Sequence, residues 1–309
     1  MPGDSLPGCV EVARLADAAG LYSIHFGEHL GMGGDSSAYP YGPFAHSLET
    51  PWLEPMTTLG AMAAVTQRIR LSTGVLLAPL RPALLLAKTV ATLDVLSGGR
   101  VELGVGTGWQ RSEYDAAGVA WSGRRARLYD TIAACRSLWG EQPASYSSPT
   151  VSFSGVTAYP RPSQDRVPIL FGVAVTPVTA ATIAEIGDGW CPVGVDLDGV
   201  RSGVGQLREA FARVGRDPAE IRVRFRLPDA VYDGSNFDFT PTFAPLDALR
   251  DAGATIFGLS IPPHLSTMDE MRHFLDTLAR MAAEVDGPAH DTAARAAEAD
   301  ARAAGAVKH

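Results

Sequence analysis

Seven times along this chain a short apolar run follows a helical stretch and hands over to a loop. That alternation restricts the fold more than any single motif does. The runs fall at about 21–26, 70–75, 101–104, 168–171, 189–193, 221–227 and 255–260, and helical periodicity covers 6–19, 53–65, 81–96, 124–139, 177–186, 200–214, 246–252 and 268–283. Repeated βα units predict a parallel sheet with helices outside it, a (β/α)8 TIM barrel whose reactive groups sit on loops at the C-terminal ends of the strands. Such a barrel starts with a strand, whereas here a helix comes first, so strand one is missing or truncated. Either the start codon is placed too far downstream, or a partner chain or an open seam replaces that strand. Prolines and short β-prone pieces (Val151–Phe153, Val156–Tyr159) mark 145–162 as a small hairpin insertion. Residues 1–283 are read as the barrel and the Ala-rich 284–309 as a frayed or disordered tail.

Composition removes several function classes. A net charge of −8 disfavours a nucleic-acid surface, which needs concentrated Lys and Arg. The three cysteines, Cys9, Cys135 and Cys191, form no close pair, so a disulfide framework or zinc ribbon is unsupported and a reducing cytoplasm is the expected compartment. No apolar run reaches the roughly 18 residues of a membrane span, and the first residues lack a signal-peptide pattern.

Three loops carry chemistry. His25-Phe-Gly-Glu28-His29 has the H-x-x-E-H spacing of a zinc peptidase family. That spacing grips a metal only on a helix, and Gly20 has just ended one, so the metal reading fails and His25 reads as barrel wall. His29 falls just beyond a strand end, where an imidazole can trade a proton near neutral pH. The turn Gly104-Val-Gly-Thr-Gly-Trp109 lacks the third glycine of a dinucleotide fingerprint, since Trp109 stands there. Its Gly106 and Gly108 allow close approach of a flat ring, and Thr107 offers a hydroxyl. In Gly172-Val-Ala-Val-Thr-Pro177, Thr176 is a helix N-cap with proline following, a place for a phosphate or simply a cap. Trp109 and Trp190 are either stacking walls or core.

Taken in order, Gly27-Glu28-His29, Thr73-Gly74-Val75, 93–106 (LDVLSGGRVELGVG), Gly108-Trp109 with Glu113, Pro160-Arg161-Pro162 and Gly187-Asp188-Gly189-Trp190 resemble the bacterial luciferase-like superfamily over about residues 8 to 280. The likeness is to its branch of oxidoreductases that use the deazaflavin coenzyme F420. It implies a dimeric barrel holding deazaflavin or FMN at the C-terminal mouth and acting on a small organic substrate. Glu28 and His29 match the family's acid and histidine beside the reactive ring. Gly74 and Val75 match a bulge, often with a cis peptide, that backs the ring. Thr107, Gly108 and Trp109 match the loop along the cofactor, and Val175 and Thr176 the phosphate turn. Two positions depart from the pattern: Gly172 is followed by Val173 instead of a second glycine, and Trp109 stands where some deazaflavin enzymes carry a catalytic acid. The implied activity is hydride transfer with F420. The alternatives are an FMNH2-dependent monooxygenase fed by a separate reductase and a noncatalytic flavin-binding barrel.

Overall fold

The computed structural model describes residues 6–44, 46–234, 236–262, 265 and 267–285. The expectation for the tail therefore lies outside the described residues beyond Val285. Helix α1 (Leu6–Ala18) leads into β1 (Ser23–Phe26), then α2 (Pro55–Ala63), β2 (Arg70–Thr73), α3 (Ala83–Ser97), β3 (Val101–Gly106), α4 (Arg111–Ala116) and α5 (Arg124–Trp139). A hairpin of β4 (Ala144–Ser147) and β5 (Ser152–Val156) follows, the expected insertion. The rhythm resumes with β6 (Ile169–Gly172), α6 (Pro177–Ile186), β7 (Gly189–Trp190), α7 (Leu197–Arg213) and β8 (Arg222–Arg226). After a small ribbon of β9 (Val231–Tyr232) and β10 (Phe237–Asp238) come α8 (Thr240–Phe243), α9 (Leu246–Asp251), β11 (Ile256–Gly258) and a last helix α10 over 268–285.

The seven runs become one parallel sheet in the order β1-β2-β3-β6-β7-β8-β11. Side-chain contacts across it show that it curls. Arg224 on β8 donates to Ser72 Oγ on β2 at 2.5 Å, and Arg222 reaches Glu102 on β3 at 2.9 Å. A Cβ placed on Gly258, at the end of β11, would stand 3.3 Å from His25 Cε1 on β1. The first and last strands thus lie near each other at the mouth, while no pairing joins them among the described residues. Both are half exposed along their length, whereas every residue of β3 is buried.

The interior departs from the layers of branched apolar side chains that usually fill a barrel. Glu102 and Arg224 are buried there, and the half-buried His25 lies among them, its imidazole pushed down to about 3 by loss of solvent and by the Arg224 and Arg226 guanidinium groups. Polar clamps hold the opposite, N-terminal face. Asp17 accepts the backbone N–H groups of Gln67, Arg68 and Ile69 at 2.7–3.0 Å, tying α1 to β2. Arg100 turns inward to carbonyls of Ala63, Thr66, Ile69 and Ser97, where α2 ends and α3 closes on the left-handed Gly98. Asp188, just before β7, takes Arg136, Arg166 and Arg216 at 2.5–2.9 Å and Ile169 N at 2.9 Å. Burial alone would raise its carboxyl, but Arg136, Arg166 and these hydrogen bonds outweigh burial and hold it below the usual range.

Candidate active site

Glu28 and His29 follow β1 directly and turn to different partners. His29 Nδ1 lies 3.1 Å from Glu113 Oε2, and the other carboxylate oxygen accepts Leu30 N at 2.8 Å. The pair is enclosed, with 8% of the imidazole and none of the carboxylate exposed. An ionised carboxylate only accepts, so it assigns the proton to Nδ1 and leaves Nε2 free to take or give one. Glu113 was quoted above only within a motif and given no role. It stands in the first turn of α4, where an acid ordinarily reads as complementing the helix dipole.

Glu28 faces the other way. Its Oε2 accepts Leu77 N at 2.6 Å, and its Oε1 lies 2.6 Å from Arg81, which is shared with Glu54 at 2.6 Å. Glu54 in turn caps α2 through Met56 N and Thr57 N. Burial pushes the Glu28 carboxyl up, and the Arg81 bond offsets that only in part. Glu28 thus fixes the segment that leaves β2, while His29 is oriented by Glu113.

That segment is the expected bulge, and the Gly74–Val75 peptide is cis. A Cβ on Gly74 would come within 2.6 Å of the His25 ring, so the imidazole packs directly against it. Val75 explains two of the expected cofactor glycines. A Cβ on Gly106 or Gly172 would stand 2.7 and 3.0 Å from its methyl groups. Gly108, at φ +66°, faces Leu77, whose Cδ2 would lie 2.9 Å from an added Cβ. The glycine spacing of the turn after β3 thus seats the bulge of β2, a cause not visible in the sequence. Thr107 is half buried, its carbonyl accepting the Tyr114 hydroxyl. After β6, Thr176 caps α6 in a reciprocal box with Thr179 that occupies the backbone N–H groups of both. Val175 is half buried, and Ala174, Thr176 and Val178 are exposed. Trp190 is core, its Nε1 bonded to Val173 O at 2.8 Å.

The loop from Leu30 to Trp52 covers His29. Trp52, Trp109 and Phe44 present rings 4.8, 5.7 and 5.8 Å from the imidazole, all edge to face, and Tyr39 lies 5.2 Å from both Phe44 and Trp109. Gly33 N donates to Gln110 Oε1 at 2.8 Å, fastening the loop beyond β3. Tyr41 packs on Gly194, where a side chain would overlap its ring, fastening the loop beyond β7 as well. The loop therefore crosses the barrel mouth. His46 joins it through Phe44 and Trp52, and burial followed by the nearby His29 lowers its imidazole. The loop from Leu30 to Trp52 reads from the sequence as the enclosure of the reaction centre, but which of its rings would meet His29 is not visible there.

These residues fit a flat heterocycle held at the mouth. The cis bulge, the His29–Glu113 pair and the 107–110 loop meet there, and the buried Gln110 amide Nε2 has no acceptor, an open donor for a ring carbonyl. The exposed turn over 174–178 at the positive end of α6 suits an anionic tail, although its capping box leaves fewer backbone donors than an uncapped turn would.

The chain is similar to proteins of known sequence and structure. An uncharacterized Mycobacterium tuberculosis protein, Rv0953c, is 37% identical over 215 residues, 66% of this chain and 74% of that one. The F420-dependent glucose-6-phosphate dehydrogenase of Amycolatopsis mediterranei is 31% identical (61% of this chain, 54% of that one), and the FMNH(2)-dependent dimethylsulfone monooxygenase of Pseudomonas putida 27% (52% and 45%). The crystal structure of monooxygenase RslO1 from Streptomyces bottropensis superposes with a TM-score of 0.74 at 23% identity, covering 90% of this chain and 94% of that one. The family described as luciferase-like monooxygenase matches residues 2–235, and the chain belongs to that family.

Proposed function

We propose that this luciferase-like oxidoreductase uses coenzyme F420 to move a hydride to or from a small organic substrate. The observation that carries the reading is the enclosed His29–Glu113 pair at the C-terminal mouth of the sheet. When bound, the deazaflavin supplies or accepts the hydride. His29 Nε2 gives or takes the accompanying proton, a role worth roughly 100-fold or more in rate. Glu113 holds the ring and its tautomer. Gly74, Val75 and the turn at 106–109 back the heterocycle, with Glu28 fixing that wall through Leu77 N, and Gly172, Val175 and Thr176 face its anionic tail. The loop at 30–52 excludes water from the transfer.

The test is anaerobic oxidation of reduced F420 by a panel of neutral carbonyl and alkene acceptors, or the reverse reaction with alcohols. Turnover in either direction is expected. Product formed only with reduced FMN, a flavin reductase and oxygen would replace this reading by the monooxygenase one, which the Pseudomonas putida relative favours.

The chain is also proposed to form a homodimer. Beyond the resemblance, the support is α3, which exposes Leu84, Leu85, Val95 and Leu96.

A further inference from the structure

Strand β8 reads Arg222-Val223-Arg224-Phe225-Arg226, and a period of two puts its three arginines on one face. An alternating strand ordinarily turns such charges to solvent. Here the face closes on the barrel interior, and Arg224 is only 6% exposed. Its neighbours on that face hold carboxylates, Arg222 that of Glu102 at 2.9 Å and Arg226 that of Asp229 at 2.7 and 2.9 Å. Arg224 differs. Among the described residues it donates to neutral groups: Ser72 Oγ and Thr73 O at 2.5 Å each, and Cys191 Sγ at 3.4 Å. Glu102 Oε1 stays 3.7 Å from its guanidinium and has no hydrogen-bond partner. A buried guanidinium with no carboxylate hydrogen-bonded to it is costly, so the group it holds matters.

That group is the peptide entering the bulge after β2. Thr73 O belongs to the Thr73–Gly74 peptide, one link before the Gly74–Val75 peptide of the bulge. Thr73 Oγ1 donates to Gly104 O at 2.7 Å and accepts Gly104 N at 3.1 Å, and Leu76 N also donates to Gly104 O at 2.7 Å. Both ends of the bulge are therefore pinned to one glycine of β3. A Cβ on Gly104 would stand 2.3 Å from Arg224 Nη2 and from Thr73 O. Gly104 thus provides the opening through which Arg224 reaches the bulge. The other groups there add no free cation, since the His25 imidazole packed against Gly74 is neutral near pH 7 and Arg81 is shared by Glu28 and Glu54.

We propose that Arg224 is a positioning residue for the cofactor wall: it holds the Thr73–Gly74 peptide from inside the barrel, and its buried charge favours the anionic form of a ring seated against Gly74 and Val75. The proposal deepens the deazaflavin reading and rests on it. The ring hydroxyl of oxidised F420 is acidic and its anion spreads over the heterocycle, so a cation fixed at the wall lowers the pH at which that hydroxyl ionises. A guanidinium supplies both the charge and the fork that spans Ser72 and Thr73, whereas a lysine supplies the charge alone.

The test is a pH titration of the absorbance of oxidised F420 bound to the full-length protein, which reads the ionisation midpoint of the ring, together with F420 affinity. Arg224→Met is expected to raise the midpoint by about one pH unit, the tenfold change of a partly screened unit charge. Glu102→Gln removes the carboxylate nearest to Arg224 and is expected to move the midpoint the opposite way. Arg224→Lys is expected to hold the midpoint within about 0.3 pH units of the wild type while F420 binds about fivefold more weakly. If Arg224→Met does not fold, the Lys and Gln variants decide the matter. Shifts of the same sign in the Met and Gln variants, or a wild-type midpoint and affinity in all of them, would overturn the proposal and leave the deazaflavin reading standing as long as F420 binds. Binding of FMN in place of F420 would remove that reading. The same variants are then titrated with anaerobically reduced FMN, whose N1 proton is expected to follow the same order of midpoints, any other order overturning the proposal. Binding of neither cofactor would overturn both.

Discussion

At the residue scale the site turns on which acid serves His29. Glu28 is adjacent in sequence and faces Arg81 and Leu77 N, whereas Glu113, 84 residues away, holds the imidazole. Sequence proximity located the histidine, since a strand end is a local feature, but its orienting partner depends on how α4 meets the loop after β1. Replacing His29 by Ala is expected to lower turnover at least about tenfold with little change in cofactor affinity, measured by steady-state rates and cofactor titration. Glu113→Gln keeps an acceptor for Leu30 N and removes the charge. It is expected to lower kcat by about tenfold or more while the cofactor dissociation constant and Tm stay near those of the wild type. Unchanged kcat in either variant would take the pair out of the mechanism.

At the scale of elements, the seven strands and most helices were legible because their periodicity is local. The reasons for the glycines were not. Gly106 read as room for a ring and Gly172 as part of a phosphate turn, and both are first of all room for Val75, which arrives from another strand. The run at 189–193 also shortens to Gly189–Trp190, since beyond it the chain leaves the sheet for the loop that meets Tyr41. Asp188 shows how such short strands are held, with three arginines and the Ile169 N–H converging on one carboxylate. Asp188→Asn leaves those cations uncompensated and is expected to cost about 3 kcal/mol in urea unfolding at pH 7. Because the folded carboxyl sits below its unfolded value, this contribution is complete above the unfolded carboxylate range near pH 4. It is lost as the pH falls through the folded value, so the two proteins converge in stability on acidification. A gap independent of pH would contradict that origin.

At the scale of the whole molecule, a helix standing where a strand belongs pointed to a sheet of seven strands. The sheet indeed runs from β1 to β11 with no described strand between those edges. Its curl was also expected, but the charged interior of Glu102, Arg222 and Arg224 was not, because alternation along a strand does not say which face closes on itself. The apolar stripe of α3 leads to a prediction of its own. Leu85→Asp combined with Leu96→Asp is expected to convert a dimer to monomer in sedimentation velocity without unfolding the chain, as both side chains are exposed. A monomeric wild type would remove the dimer from the account. The most direct test of the whole reading is titration of the purified protein with coenzyme F420 and with FMN, followed by quenching of tryptophan fluorescence, since Trp52 and Trp109 flank His29. Saturable quenching by F420 at concentrations at least tenfold below those needed for FMN is the predicted result, and tight binding of FMN with none of F420 is the result that would contradict it.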